Sequence, residues 1–208
     1  MMKKTLCALA LAAVSFGAQA SIVEGFENVA NLASKGFVIR NDSTPVGGLP
    51  YQQGGLGFDA QAGTAQSYFG FNYNAGVAGG TLSDWLITPL FPTFTSGTIS
   101  FYVQGATDGS YFDQFQFGMS EGGTAASDFM LSNVITATQG VWTKFTLDFV
   151  GTGVTGSAGR FGIRYTGSAD NANGLGIDSL SYVPEPTSTL LIGLGLAGLV
   201  AARRRRSA

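Results

Sequence analysis

The chain has 208 residues, 45% of them hydrophobic and 12% charged, with a formal net charge of −2, no histidine and a single cysteine, Cys7. That inventory excludes histidine-based catalytic triads, zinc or haem held by histidine, and any cysteine chemistry beyond residue 7. Carboxylates, hydroxyls, two internal lysines (Lys35, Lys144) and many aromatic rings remain.

The first element is a leader. Lys3 and Lys4 precede an apolar stretch from Thr5 to Phe16, and Ala18-Gln19-Ala20 supplies a small-x-small cleavage pattern. This predicts a secretory signal peptide over residues 1–20, cut after Ala20, with Ala18 and Ala20 as the recognised small residues. The cut removes Cys7, so the exported chain enters an oxidising compartment without an internal disulfide.

Residues 21–183 are one domain's length of chain. They carry five basic and twelve acidic side chains, a net charge of −7 that the basic ends conceal. Nucleic acid is disfavoured as a partner, since its phosphates need a positive face. Alternation with period two recurs along this stretch. Phe69, Phe71 and Tyr73 alternate with Gly70 and Asn72; Ile99, Phe101 and Val103 fall on one face of residues 98–104. Phe115, Phe117 and Met119 form a third set, while Val141, Thr143, Phe145, Leu147 and Phe149 alternate with Trp142, Lys144, Thr146 and Asp148. Phe161, Ile163 and Tyr165 alternate with Arg160, Gly162 and Arg164. Turns rich in glycine, asparagine and aspartate separate these runs. Many short half-buried strands without helical periodicity predict an all-β fold, a jelly-roll β-sandwich.

The last element, residues 184–208, is a tail in three parts. Pro184-Glu185-Pro186 leads into an uncharged run from Thr187 to Ala202, which stops at Arg203-Arg204-Arg205-Arg206. A 16-residue helix over 187–202 spans roughly 24 Å, short of a hydrocarbon core of about 30 Å. The flanks argue for a short transmembrane helix, because four arginines resist transfer through lipid and stay cytoplasmic. Lys3 and Lys4 make the same demand on orientation. An ordinary tail anchor is the alternative.

The tail resembles the PEP-CTERM sorting signal. The resemblance implies recognition by an exosortase-type membrane protease, transient anchoring in the inner membrane with the body in the periplasm, and delivery to the cell surface or an exopolysaccharide matrix. It also implies a Gram-negative source with a biofilm habit. The body has a resemblance of its own. Gly25-Phe26-Glu27, Ser83-Asp84-Trp85-Leu86-Ile87-Thr88-Pro89, Phe112-Asp113-Gln114-Phe115, Arg160–Tyr165 and Gly176-Ile177-Asp178 look like the choice-of-anchor J domain, related to cleaved adhesin and MAM-like jelly rolls. Such domains are implied to be extracellular modules. The sequence departs at Lys35-Gly36-Phe37, where a Gly-Trp pair is more usual; Phe37 is expected to fill the same core position.

Related jelly rolls hold a structural calcium where the first and last strands meet, which implies Glu27 and Asp178 as ligands here. The competing expectation is that Asp178 pairs with Arg164 or caps a turn. Tyr51, Tyr68, Tyr102 and Tyr111 lie off the inferred core faces and are candidates for a carbohydrate platform, because a tyrosine offers an apolar ring and a polar tip. No residue is assigned a catalytic role, so the chain is read as a non-enzymatic adhesion, binding or structural module, with extracellular polysaccharide as a candidate partner. Two alternatives stay open. A carboxylate-dependent glycosidase would use a pair drawn from Asp113, Glu121 and Asp128. An ice-binding surface would need a regular threonine array, which this sequence lacks.

Overall fold

The computed structural model describes residues 21–185. The leader with Ala18 and Ala20, Pro186, the 187–202 run and Arg203–Arg206 lie outside the described residues. Fourteen strands occur in chain order. They are β1 (Ile22–Glu24), β2 (Val38–Asn41), β3 (Thr44–Val46), β4 (Tyr51–Gln53) and β5 (Phe69–Asn72). Next come β6 (Gly76–Ile87), β7 (Phe91–Pro92), β8 (Gly97–Gly105), β9 (Gln114–Ser120) and β10 (Met130–Leu131). The last four are β11 (Ile135–Thr136), β12 (Thr143–Phe149), β13 (Ala158–Ser168) and β14 (Gly174–Pro184). Only short 3₁₀ turns interrupt them among the described residues, and no helix there is long and apolar enough to cross a membrane.

The strands form two antiparallel sheets, one in the order β12-β8-β14-β5-β4 with β1 added to β14, the other in the order β10-β9-β13-β6-β2. This is the expected sandwich. Its core lies between the sheets because the alternating residues of both face inward. Phe101 stands at the centre, with ring centroids 5.1 Å from Phe117, 5.3 Å from Phe161 and 5.8 Å from Phe145. Phe101 and Phe161 are fully buried, each contributing roughly 1.5–3 kcal/mol of transfer free energy, and the half-buried Phe117 and Phe145 add to the cluster. Phe37 is buried and meets Phe26 edge to face at 6.5 Å, filling the expected position.

One predicted inward residue leaves the pattern. Tyr73 does not continue the β5 alternation, because the Asn72 side chain accepts a hydrogen bond from the Asn74 N–H at 2.9 Å and starts a 3₁₀ turn over Tyr73–Ala75. Tyr73 is thereby turned to the surface.

Each sheet also carries packing on its outer face. Over the β8-β14-β5 sheet, the segment from Gly54 to Ser67 lies across a trough made by Gly70, Gly174 and Gly176. A Cβ on Gly176 would stand 2.8 Å from the Phe58 ring and 2.9 Å from Trp142, so only glycine lets this cover approach. Behind the other sheet, Trp85, Ile87 and Phe129 form a second small core. Arg40 and Arg164 flank the Trp85 ring at 5.5 and 5.8 Å, a cation–π arrangement.

Candidate functional site

The four candidate tyrosines do not make one platform. Tyr51 stacks on Phe69 at 5.4 Å and packs against the core. Tyr68 is fully buried under the Gly54–Ser67 cover, stacked on Phe58 at 4.9 Å and edge-on to Trp142 at 5.7 Å. Its hydroxyl accepts the Leu56 N–H at 2.8 Å, so it cannot serve as a ligand surface. The sequence reading set Tyr68 off the core faces, but the loop that covers it leaves it fully buried. Tyr102 sits on the outer face of β8 beside Lys144, whose ammonium is 6.0 Å from the ring. Tyr111 alone opens into a cleft.

That cleft has a volume of about 730 Å³, within the range of small-ligand sites. Four separate stretches converge on it: residues 47–49, 73–78, 108–111 and 169–173. Tyr73 and Tyr111, 41% and 37% exposed, supply rings that a ligand can reach. Asp108, Asp170, Asn74 and Asn173 supply polar groups. Asp170 is fixed by accepting the Gly79 N–H at 2.9 Å, and the Ser168 hydroxyl caps the turn that carries it. Gly47 brings its segment against the Tyr73 turn, where its N–H donates to the Ala75 carbonyl at 2.7 Å. A methyl group at residue 47 would run into the Asn74 and Gly76 carbonyl oxygens. The sequence reading missed Tyr73, Asp108 and Asp170. The Asn-Tyr-Asn triplet at 72–74 was a turn signal that could have exposed Tyr73.

Glu27 is exposed, whereas Asp178 is buried. Asp178 does not pair with Arg164, whose guanidinium donates instead to the Ser83 hydroxyl at 3.1 Å and to Gln116 at 3.4 Å. Its carboxylate accepts the Gln61, Ala62 and Ser179 N–H groups at 2.8, 3.1 and 2.5 Å, latching the cover to β14. Burial pushes its pKa up, against those three hydrogen bonds, and the nearby Glu27 charge adds to the rise. The residues beside the two carboxylates, Phe26 and Ser179, have φ values of 54° and 50°, a costly left-handed backbone for side chains of this kind. No cluster of three acidic residues able to hold a metal occurs among the described residues.

The three acids weighed for glycoside hydrolysis are not gathered in one cleft. Asp113 is buried before the start of β9, accepting the Tyr165 hydroxyl at 2.5 Å and the Asn173 N–H at 2.9 Å. Glu121 lies in the exposed turn beyond the other end of β9, and Asp128 caps the Ala125 N–H at 2.8 Å. Seven residues of strand, roughly 20 Å, separate Asp113 from Glu121. Asp113 and Asp84 instead flank Tyr165 inside the sandwich, since Asp84 is the β6 residue paired with Tyr165. Burial raises the Asp84 carboxyl to about 8, and the Asp42 charge adds to it. The same cause raises Asp113, and it lifts the Tyr165 hydroxyl well above its ordinary value, with both carboxylates contributing.

Comparisons with known proteins agree with this architecture. No curated protein matches the sequence. The fold is similar to the K1 cleaved adhesin domain of Lys-gingipain from Porphyromonas gingivalis W83, at a TM-score of 0.61 and 18% identity, covering 80% of this chain and 99% of that one. The K3 cleaved adhesin domain of the same protein gives a TM-score of 0.58 at 15% identity, covering 79% and 98%. Residues 183–206 match the PEP-CTERM protein-sorting motif. The chain thus carries a PEP-CTERM sorting motif, the mark of an exported and sorted protein, behind a jelly-roll sandwich similar in fold to cleaved adhesin domains.

Proposed function

We propose that this protein is an exported, non-catalytic module that binds neutral saccharide at the cell surface or within an exopolysaccharide matrix. Its tail holds it in the inner membrane, body in the periplasm, until an exosortase-type protease acts at Pro184-Glu185-Pro186. One observation carries the reading. The cleft and the sorting tail lie at opposite ends of the same strand, since Asn173 lines the cleft just before β14 and Glu185 follows its last residue. Eleven extended residues put them roughly 35 Å apart, so a membrane-held domain presents the cleft outward. Rings of Tyr73 and Tyr111 beside carboxylates and amides suit the apolar faces and hydroxyl edges of sugars. The acidic surface disfavours anionic polymers.

A glycan array of the exported chain tests this. Tyr73→Ala and Tyr111→Ala are each expected to weaken the best hit about tenfold, the equivalent of 1.4 kcal/mol, with melting temperature unchanged because both rings are surface-exposed. A blank array, or full binding by both variants, removes the saccharide role and leaves a structural one.

We also propose that calcium binds between Glu27 and Asp178. Two neighbouring carboxylates, the Gln61 side-chain oxygen that already accepts from Ser179, and strained backbone beside each acid are suited to a hard cation. Calcium is expected to raise the melting temperature of the exported chain and EDTA to reverse it. Identical melting curves in calcium and in EDTA would remove the metal.

A further inference from the structure

The end of the sandwich where the tail departs differs chemically from the end that holds the cleft. No charged side chain occurs in residues 85–107 or 149–159. The fold brings one part of each run together at a single corner. Thr152 and Gly153 donate to the Thr93 and Phe94 carbonyls at 2.9 and 3.0 Å, and Gly151 donates to the Ser96 hydroxyl at 3.1 Å. The departing chain is sewn to the same place, the Glu185 N–H donating to the Ser96 carbonyl at 2.9 Å. On this laced corner the apolar side chains face out: Val150 is 88% exposed, Val154 63% and Phe94 40%, with Val183 exposed on the last strand beside them. Charged groups stand at its rim: Asp148, Glu121 and Glu185 at the surface, and Arg160, whose guanidinium donates to the Gly122 and Thr88 carbonyls. An ordered apolar patch with a polar rim marks a contact surface.

The chain itself limits what can cover it. Glu185 is two residues from Thr187, where the uncharged run begins, a reach of at most about 7 Å. While that run is in a membrane, the corner is held close to the bilayer surface. We infer that the corner formed by residues 93–96 and 150–154 seats in the interfacial layer of the bilayer, with Phe94, Val150 and Val154 among the lipid headgroups and upper acyl chains. The domain then stands on the membrane with its cleft pointing away, and Pro184-Glu185-Pro186 lies at headgroup height, within reach of a membrane-embedded protease. Cutting the tail frees the corner as well, because one small apolar contact gives only weak, reversible membrane binding. The inference rests on the tail being membrane-embedded.

The test uses the full chain with Cys7→Ser and single environment-sensitive labels on Val150→Cys, Ala78→Cys at the cleft end, or Leu194→Cys in the tail. Each is reconstituted into phosphatidylethanolamine–phosphatidylglycerol vesicles containing nitroxide lipids. The expected result is strong nitroxide quenching at 150 and 194 and none at 78. A label on Phe94→Cys should lose its lipid quenching when Val150→Asp and Val154→Asp are combined, with the thermal unfolding midpoint retained. Quenching at 194 with none at 150 would overturn the seated corner while leaving the anchored tail intact. Absence of quenching at both would remove the embedded tail, and the inference with it. A label at 150 shielded from both lipid nitroxide and aqueous iodide would mean that a second copy covers the corner, which also overturns it.

Discussion

Replacing Asp84 with asparagine is expected to stabilise the protein strongly at pH 8.5 and to change little at pH 4. Asp84 is completely buried on β6; one carboxylate oxygen accepts the Trp85 N–H at 3.1 Å and the other has no partner among the described residues. Its carboxyl is raised from 3.8 to about 8 in the folded protein, first by desolvation and then by the Asp42 charge. In the unfolded chain it titrates near 3.8. Below that value both states are protonated and Asp84 contributes no pH dependence. Between about 4 and 8 the folded state holds a proton that the unfolded state has released, so stability falls as pH rises. Above the folded pKa the loss is complete. Four pKa units correspond to roughly 5 kcal/mol, a large share of a domain's net stability. Asparagine keeps the acceptor for Trp85 and removes the ionisation, so its variant should hold an unfolding midpoint nearly flat with pH and exceed the wild type by several kcal/mol at pH 8.5. Urea unfolding at pH 4, 6, 7 and 8.5 measures both. A wild-type stability that does not decline over that range would refute a protonated Asp84. Asp113, raised in the same direction, steepens the decline, and Asp113→Asn should remove its part while keeping the Tyr165 hydroxyl bonded.

Asp178→Ala should have the second largest effect, a loss of about 3–5 kcal/mol. Three backbone N–H groups, of Gln61, Ala62 and Ser179, depend on this one carboxylate. A buried donor left without a partner costs roughly 1–3 kcal/mol each, and hydrogen bonds to a charged acceptor stand at the upper end. The consequence is local before it is global. Gln61 and Ala62 belong to the cover that carries Phe58 against Tyr68 and Trp142. With the latch gone, that cover should lift, Trp142 emission should shift to the red, and limited proteolysis should cut between Gly54 and Ser67 before the sandwich opens. Asp178→Asn should recover only part of the loss, because its amide nitrogen presents a donor to donors. If the alanine variant melts within a degree of the wild type and resists proteolysis in the cover, the latch has no energetic role. The readout also bears on calcium: a cation at this place would make EDTA reproduce the lifted cover in the wild type, whereas a purely hydrogen-bonded latch would ignore the chelator.

The sorting motif at the C-terminal end and the character of the middle were legible without coordinates. Sorting signals are local by nature, because the machinery that reads them meets an extended chain; Pro184-Glu185-Pro186, the uncharged run and the arginine block needed no fold to be recognised. Strand pattern is equally local. Phe101, Phe115 and Phe161 point inward because successive strand residues point to opposite faces. Tyr73 escaped that rule, since an asparagine cap outweighed the alternation of the preceding phenylalanines.

What only the tertiary structure decided is who meets whom. Tyr68 and Tyr111 look alike in sequence, yet the Gly54–Ser67 cover seals one and four converging loops expose the other. Asp84 and Asp113 are ordinary turn or strand acids in the sequence and become a buried pair about Tyr165 through the β6–β13 register. The physical reason is common to all of these. An antiparallel sandwich pairs strands far apart in the chain, so its clefts, latches and buried charges are assembled from long-range neighbours that no local period encodes.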